Sequence, residues 1–422
     1  MHIKSIRIKN FKGIEDSSIN FQPGFNIIKG ENGKGKTSII EAIAVGLGGF
    51  IGGFSDVATR HFTKEEIRKE WELTGDGSCN ENYQTPTEVS LVSVINGENF
   101  EWTRSRSSVK SSRTTTMPKT IVKYAESLQL NSKAELPIIS LQGAGRVWSQ
   151  KREKVTNIFK AKYLRTAGYT DALEDASNIK LLLNWCIKME QVGWQKGKAI
   201  AEYEAVKQAV ADFMKNINSE GSYKVFYDKQ LEELVYSVDD NIVTINSLSA
   251  GYQSLIWMVF DIAYRMAVLN PDKKENITET KGIVLIDEID MHLHPKWQWN
   301  IVDALRKTFP NVQFIATTHA PILFASAKDI WLIDIEKPEI KYDWSHFGID
   351  VSASINYFQN TNSISIKVQQ AINNFYEAMD AGLYHEAEDI LLKVEEETQP
   401  ESADVVKMRT RYEFDTMFLG DK

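Results

Sequence analysis

Cysteine is nearly absent. The 422-residue chain carries two, Cys79 and Cys186, far apart and in no metal-ligand spacing. That excludes a cysteine-based metal site and fits a reducing cytosol. A positive excess is lacking too. Lys and Arg number 49 against 57 Asp and Glu, a net charge of −8. Non-specific DNA binding runs on phosphate neutralisation, so any nucleic-acid contact must come from a local patch. Long apolar runs are also missing. The most apolar window, LIWMVFDIAYRMAVL, is interrupted by Asp261 and Arg265 and is too short to span a bilayer. The opening MHIKSIRIKNFKG alternates apolar and charged residues and lacks the core of a signal peptide. These absences lead us to expect a soluble, cytoplasmic protein with no membrane partner.

What is present points to an α/β fold. IKSIRIK alternates and FNIIK is a short apolar run, so residues 3–9 and 25–29 read as strands. A glycine-rich loop and a helix follow. Residues 51–80 read as helical and charged. TEVSLVSVINGENFEWTR reads as a hairpin around Asn96–Gly97. LPIISLQGAG, within 136–148, is a buried strand and a turn, and 151–217 reads as mostly helical. ELVYSVDDNIVTINS reads as two short strands around Asp239–Asp240. IVLIDEID and VQFIATTH are apolar runs of the kind found in buried parallel strands. From about 352 the chain turns helical and acidic, with nine acids and one base, Lys393, between 380 and 404.

Gly30 to Thr37 reads G-x-x-x-x-G-K-T after a strand and before a helix, the context a phosphate-binding loop requires. Gly30, Gly33 and Gly35 let the backbone approach phosphates, with Asn32, Lys34 and Ser38 in the same loop and helix start. Lys36 is expected to reach the β- and γ-phosphates of ATP, and Thr37 to ligate Mg²⁺. Four apolar residues precede Asp287 and Glu288. A buried strand ending in two carboxylates needs a cation nearby. Asp287 is expected to hold Mg²⁺, and Glu288 to polarise the attacking water. His319 closes another apolar strand, where it can sense a γ-phosphate. His292 and His294 stand two apart with no Cys close by, so their loop reads as an interface rather than a metal site.

LSAGYQS, Leu248 to Ser254, admits two readings. Ser249 can simply cap the following helix. Alternatively Ser249, Gly251 and Gln253 present a hydroxyl, backbone amides and a helix dipole to a γ-phosphate held by a second copy.

The set GENGKGKTS, LSAGYQS, VLIDEID and ATTH resembles the ABC-type ATPase head of the SMC and RecF kind. The resemblance implies an ABC-type P-loop head with a mixed sheet, a helical insertion and a C-terminal helical tail. It also implies two heads sandwiching two ATP molecules. In LQGAG, Gln142 is similar to the glutamine that reaches Mg²⁺ and the attacking water. The signature departs from the usual Ser-Gly-Gly-Gln, with Ala250 and Tyr252 flanking Gly251, and no C-x-x-C hook is present. DEIDMHLHPKWQ, GYTDALEDASNIKLLLNW and RTRYEFDTMFLG are similar to the PtuA ATPases of Septu and retron-associated antiphage systems. That likeness implies that any cutting belongs to a partner HNH nuclease of the PtuB type, because no Toprim or HNH pattern is found here. A RecF- or SMC-like DNA-repair clamp and a slow-turnover nucleotide sensor are the alternatives.

The expected organisation is an ATPase lobe at 1–150, a helical arm at 151–240, a second ATPase lobe at 241–350 and an acidic partner-docking tail at 351–422. Residues 103–123 hold Arg104, Arg106, Lys110, Arg113, Lys119 and Lys123 and no acid, and read as a mobile loop for DNA or RNA phosphates. The tail pattern predicts a helical hairpin turning at Gly382, with Ile372, Phe375, Met379, Leu383, Ala387, Ile390, Leu391 and Val394 inward.

Overall fold

The computed structural model describes residues 1–73, 79–145, 164–175, 179–231, 233–239, 241–336, 339–345, 347–349, 366–397 and 402–417. It divides into two compact units, Met1–Gly348 and Ile349–Lys422. The expectations for 146–163, for Asp240 and for the last residues of the tail lie outside the described residues.

The first unit opens with β1 (His2–Phe11), β2 (Ile14–Asn20) and β3 (Phe25–Lys29), then α1 (Lys36–Ile51). β4 (Lys69–Leu73), β5 (Cys79–Tyr83), β6 (Thr87–Ile95), β7 (Glu98–Arg106) and β8 (Thr115–Met117) lead to α2 (Thr120–Leu130) and β9 (Ile138–Gln142). Then come α3 (Ile179–Lys196), α4 (Ala201–Asn218), β10 (Tyr223–Asp228), β11 (Glu233–Val238), β12 (Asn241–Thr244) and α5 (Ala250–Leu269). β13 (Gly282–Ile286), α6 (Pro295–Thr308), β14 (Val312–Thr318), α7 (Pro321–Ala325), β15 (Ile330–Asp334) and β16 (Lys341–Trp344) complete it.

Two sheets frame α1. The first is mixed, in the order β16-β15-β3-β14-β13-β9. β15, β3, β14, β13 and β9 run parallel and β16 antiparallel. Every residue of β3, β9, β13 and β14 is buried, which is why these strands read as continuous apolar runs. The one buried lysine among them, Lys29, pairs with Asp334 at 2.8 Å. The second sheet, β2-β1-β6-β7-β8, is antiparallel. β6 alternates buried and half-buried residues along its length. Asn96 and Gly97, at φ 50° and 88°, make the tight turn into β7. α1 packs against strands of both sheets. From β7, Trp102 donates to the Gly46 carbonyl at 2.8 Å and Arg104 to that of Val45 at 2.7 Å, which ties down the second half of α1.

Two expectations are corrected. Within 51–80, Lys69–Leu73 and Cys79–Tyr83 form an antiparallel pair rather than a helix. Lys69 meets Glu81 diagonally across the two strands at 3.4 Å; the helix propensity of Lys and Glu is overruled. The basic segment 103–123 is not one mobile loop. Thr103–Arg106 ends β7, Thr115–Met117 pairs back on it and α2 follows. Arg104 and Arg106 are buried, and their guanidinium groups are spent on carbonyls of Val45, Arg60, Phe62, Ser108 and Val109. Burial lowers the pKa of Arg104 from its ordinary value to about 10. Within the segment expected to be mostly helical, the described residues hold a 3-10 turn, Arg165–Tyr169, and then the long helices α3 and α4. β10, which the sequence pattern did not reveal, pairs with β11 on the side opposite β12 and makes a three-stranded sheet.

The described residues of the second unit form α8 (Ile366–Asp380), α9 (Tyr384–Glu397) and α10 (Ala403–Met417). Gly382, at φ 74°, turns α8 into α9. Its core contains Ile372, Phe375, Met379, Ala387, Leu391 and Val394, completed by Val405 and Met408 of α10. Leu383, expected inward, is exposed because it sits in the turn itself.

Candidate functional site

Parallel strands bring their C-terminal ends to one edge. Here those ends carry the phosphate loop after β3, Gln142 at the end of β9, Asp287 and Glu288 after β13, and His319 after β14. Residues 250 positions apart in sequence thereby touch.

Gly35, at φ 92°, turns the loop into α1, a conformation that a side chain resists. Lys36 is buried, and its ammonium donates to the carbonyls of Gly30 at 2.7 Å and Glu31 at 3.0 Å. His319 Nδ1 lies 3.5 Å from the same nitrogen. Burial lowers the Lys36 pKa, opposed by the charges of Asp287, Glu288, Asp290 and Glu336. Asn32, Gly33, Lys34 and Thr37 are exposed and Ser38 is half-buried, so the loop opens to solvent on the side away from Lys36.

Thr37 donates to Asp287 Oδ2 at 2.8 Å. Thr317 donates to Asp287 Oδ1 at 2.6 Å and accepts the Glu288 amide at 2.8 Å. Glu288 holds a left-handed φ of 49°. Thr318 donates to Asp290, fixing the next turn of the loop. The two threonines escaped notice in the sequence; the only signal is a hydroxyl pair in a wholly buried strand.

Gln142 is adjacent by backbone, since its carbonyl accepts the Asp287 amide at 2.9 Å. Its side chain goes elsewhere: Nε2 donates to Asp261 Oδ2 at 2.7 Å and to Ser140 Oγ at 2.8 Å. Asp261, on α5, also receives Arg265 at 2.8 Å. The burial of Arg265 disfavours its charge, but Asp261 outweighs this and its pKa is raised. The pattern that placed Gln142 near the site did not foresee this tie.

Ser249 starts α5, is exposed, and makes no capping hydrogen bond through its side chain. Gln253 turns back to the carbonyls of Asn246 at 3.0 Å and Leu248 at 2.8 Å, bracing the approach to the helix. Gly251 packs so closely on the loop after β13 that a Cβ there would lie 2.5 Å from the His292 carbonyl. Tyr252 meets Trp297 edge-on at 4.5 Å, so the departure from the usual signature fills a packing site. His294 Nδ1 accepts the Lys296 amide at 3.2 Å and caps α6. Among the described residues no group of three or more His, Cys, Asp or Glu side chains forms a metal site.

A magnesium ion taken up with a nucleotide needs only one or two protein ligands, because phosphates and water supply the rest. The Thr37 hydroxyl and Asp287 carboxylate fit that donor set, beside a buried lysine and a solvent-exposed loop.

An AAA domain model matches residues 5–218, and a second AAA domain model matches 197–325. The Retron Ec83 probable ATPase of Escherichia coli is 27% identical over 398 residues, covering 79% of this chain and 71% of that protein. The Septu protein PtuA of Bacillus mycoides (strain KBAB4) is 26% identical over 329 residues, covering 76% of this chain but only 38% of that protein. A solved SmcHead bound to the C-winged helix domain of ScpA aligns with 82% of this chain and 98% of its own, at 18% identity and a TM-score of 0.49. No helix among the described residues is long and apolar enough to cross a membrane.

Proposed function

This chain belongs to the AAA domain family, and from that premise we propose that it binds and hydrolyses ATP with Mg²⁺ between two copies of itself. We also propose that its nucleotide state controls a partner HNH nuclease of the PtuB type in antiphage defence. The observation that carries the ATPase reading is the meeting of Lys36, Thr37, Asp287 and Glu288 at one sheet edge. Lys36 would neutralise the β- and γ-phosphates. Thr37 and Asp287 would hold Mg²⁺, which withdraws charge from the phosphates when bound. Glu288 would take the proton of the attacking water, and His319, beside Lys36, would donate to the γ-phosphate. The exposed Ser249 supports the sandwich, since its side chain makes no capping hydrogen bond and its hydroxyl lies at the surface beside the α5 N-terminus.

Likeness to retron and Septu proteins supports the defence reading. The second unit supports a docking role: Glu386, Asp389 and Glu396 are exposed on α9, and such a surface steers a basic partner. One observation favours slow turnover, the nucleotide-sensor reading. The Gln142 amide is held by Asp261 rather than offered to water.

Two measurements test the proposal. Purified chain should release phosphate from ATP only with Mg²⁺ present; no release at any concentration ends the enzyme reading. Co-expression with the HNH protein of the neighbouring reading frame should give a complex that is lost when the chain is cut after about residue 360. Retention by the folded, truncated chain would place the dock elsewhere.

A further inference from the structure

Thr317 is fully buried near the end of β14, and it makes three hydrogen bonds to the segment that follows β13. Its hydroxyl donates to Asp287 Oδ1 at 2.6 Å. The same oxygen accepts the Glu288 amide at 2.8 Å, and its carbonyl accepts the Ile289 amide at 3.0 Å. A hydroxyl has one proton and two lone pairs. Giving the proton to Asp287 leaves a lone pair aimed at Glu288, so one side chain sets two neighbours at once. Those bonds act where the backbone is least at ease. Glu288 sits at φ 49°, a region that residues other than glycine occupy only when their surroundings impose it.

We propose that Thr317 is a positioning residue: it holds the Glu288 backbone in the left-handed turn and the Asp287 carboxylate in its rotamer, and so sets the aim of the Glu288 side chain. The inference rests on the reading of Glu288 as the general base. Threonine suits the task for a stated reason. Valine matches its shape but can neither donate nor accept, whereas serine keeps both functions. The branched side chain also restricts χ1, which keeps the hydroxyl on the pair. Its neighbour Thr318, bonded to Asp290, does the corresponding work one turn further along the loop. β14 therefore clasps the loop on both sides of Glu288.

The test compares Thr317→Val with Thr317→Ser in the full chain. In Thr317→Val, amide hydrogen exchange over 287–291 should accelerate, while Thr317→Ser should keep near wild-type protection. In steady-state ATP hydrolysis, Thr317→Val should lower kcat by about tenfold to a hundredfold, with KM and nucleotide affinity changed by less than about threefold. Thr317→Ser should recover most of kcat. If valine prevents folding, Thr317→Ala lacks the same hydroxyl and crowds nothing. Unchanged exchange and unchanged kcat in the valine variant would overturn the proposal. So would a loss of affinity and melting temperature with no separate effect on kcat, because that marks a merely structural residue. If wild type proves unable to hydrolyse ATP, the reading of Glu288 falls, and the exchange measurement still decides whether Thr317 holds the turn.

Discussion

The hydroxyl of Thr37, in the first turn of α1, donates to Asp287 Oδ2 at 2.8 Å across 250 positions of sequence. The contact joins a phosphate loop to a buried carboxylate.

Lys36→Ala should abolish useful ATP binding. The ammonium now bonds to two loop carbonyls and would be the counter-charge for the phosphates. Losing two charge-assisted bonds costs about 3 kcal/mol or more, roughly a hundredfold in Kd. Equilibrium binding of a fluorescent ATP analogue measures it; wild-type affinity in the variant would remove Lys36 from the site.

The same lysine should destabilise the protein when no nucleotide is bound. Its folded pKa is lowered from the ordinary 10.5, chiefly by burial. Between that lowered value and 10.5 the unfolded chain binds more protons, so stability rises with pH across the window. Below the window the penalty is constant. The stability difference between wild type and Lys36→Met, which lacks the titrating group, should therefore shift in favour of wild type as the pH rises toward 10.5. A margin independent of alkaline pH would show that the charge is not the cause.

Glu288→Gln should bind ATP and hydrolyse it about a hundredfold or more slowly, because a neutral amide accepts no proton. Asp287 and its threonine partners are untouched by the change, so affinity should hold within about threefold. Equal turnover in the two proteins would be decisive against Glu288 as base.

The signature should act in trans. Ser249 is exposed and uncapped, so Ser249→Arg should leave the fold intact while blocking a partner's phosphate. Mixing Lys36→Ala with Ser249→Arg under subunit exchange puts both lesions in one composite site and none in the other. Phosphate release should partly return relative to either variant alone. Mixed dimers with no recovery would count against the sandwich.

Four bases of the 103–123 segment remain exposed: Lys110, Arg113, Lys119 and Lys123. If they contact duplex DNA, replacing all four should lower the salt slope of binding by about three to four. Arg104→Gln should instead destabilise the fold without changing that slope in the surviving folded fraction, since its guanidinium bonds to Val45 and Arg60. An unchanged slope after the fourfold replacement would make this an ordinary solvated surface.

How much was legible follows the range of each signal. FNIIK, the glycine-rich loop and the start of α1 lie within one local run, so strand, loop and helix were readable from residues 25–51. The Asn96–Gly97 turn and the Gly382 turn were readable for the same reason, since few residues accept positive φ. The runs ending at Asp287 and His319 announced buried parallel strands because both faces are covered. Which strands are neighbours depends on contacts hundreds of residues apart, and no local pattern encodes that. Tertiary structure alone set β14 between β3 and β13, and so brought Thr317 against Asp287 and Lys36 beside His319. It alone decided that Arg104 and Arg106 are core residues rather than phosphate ligands, because carbonyls of α1 and the following loop were within reach. It also turned the charged stretch around Trp71 into one strand of an antiparallel pair, where cross-strand pairing outweighed helix propensity. Composition and spacing determined which chemistry this chain can carry; the order of strands in one sheet decided which residues meet to carry it.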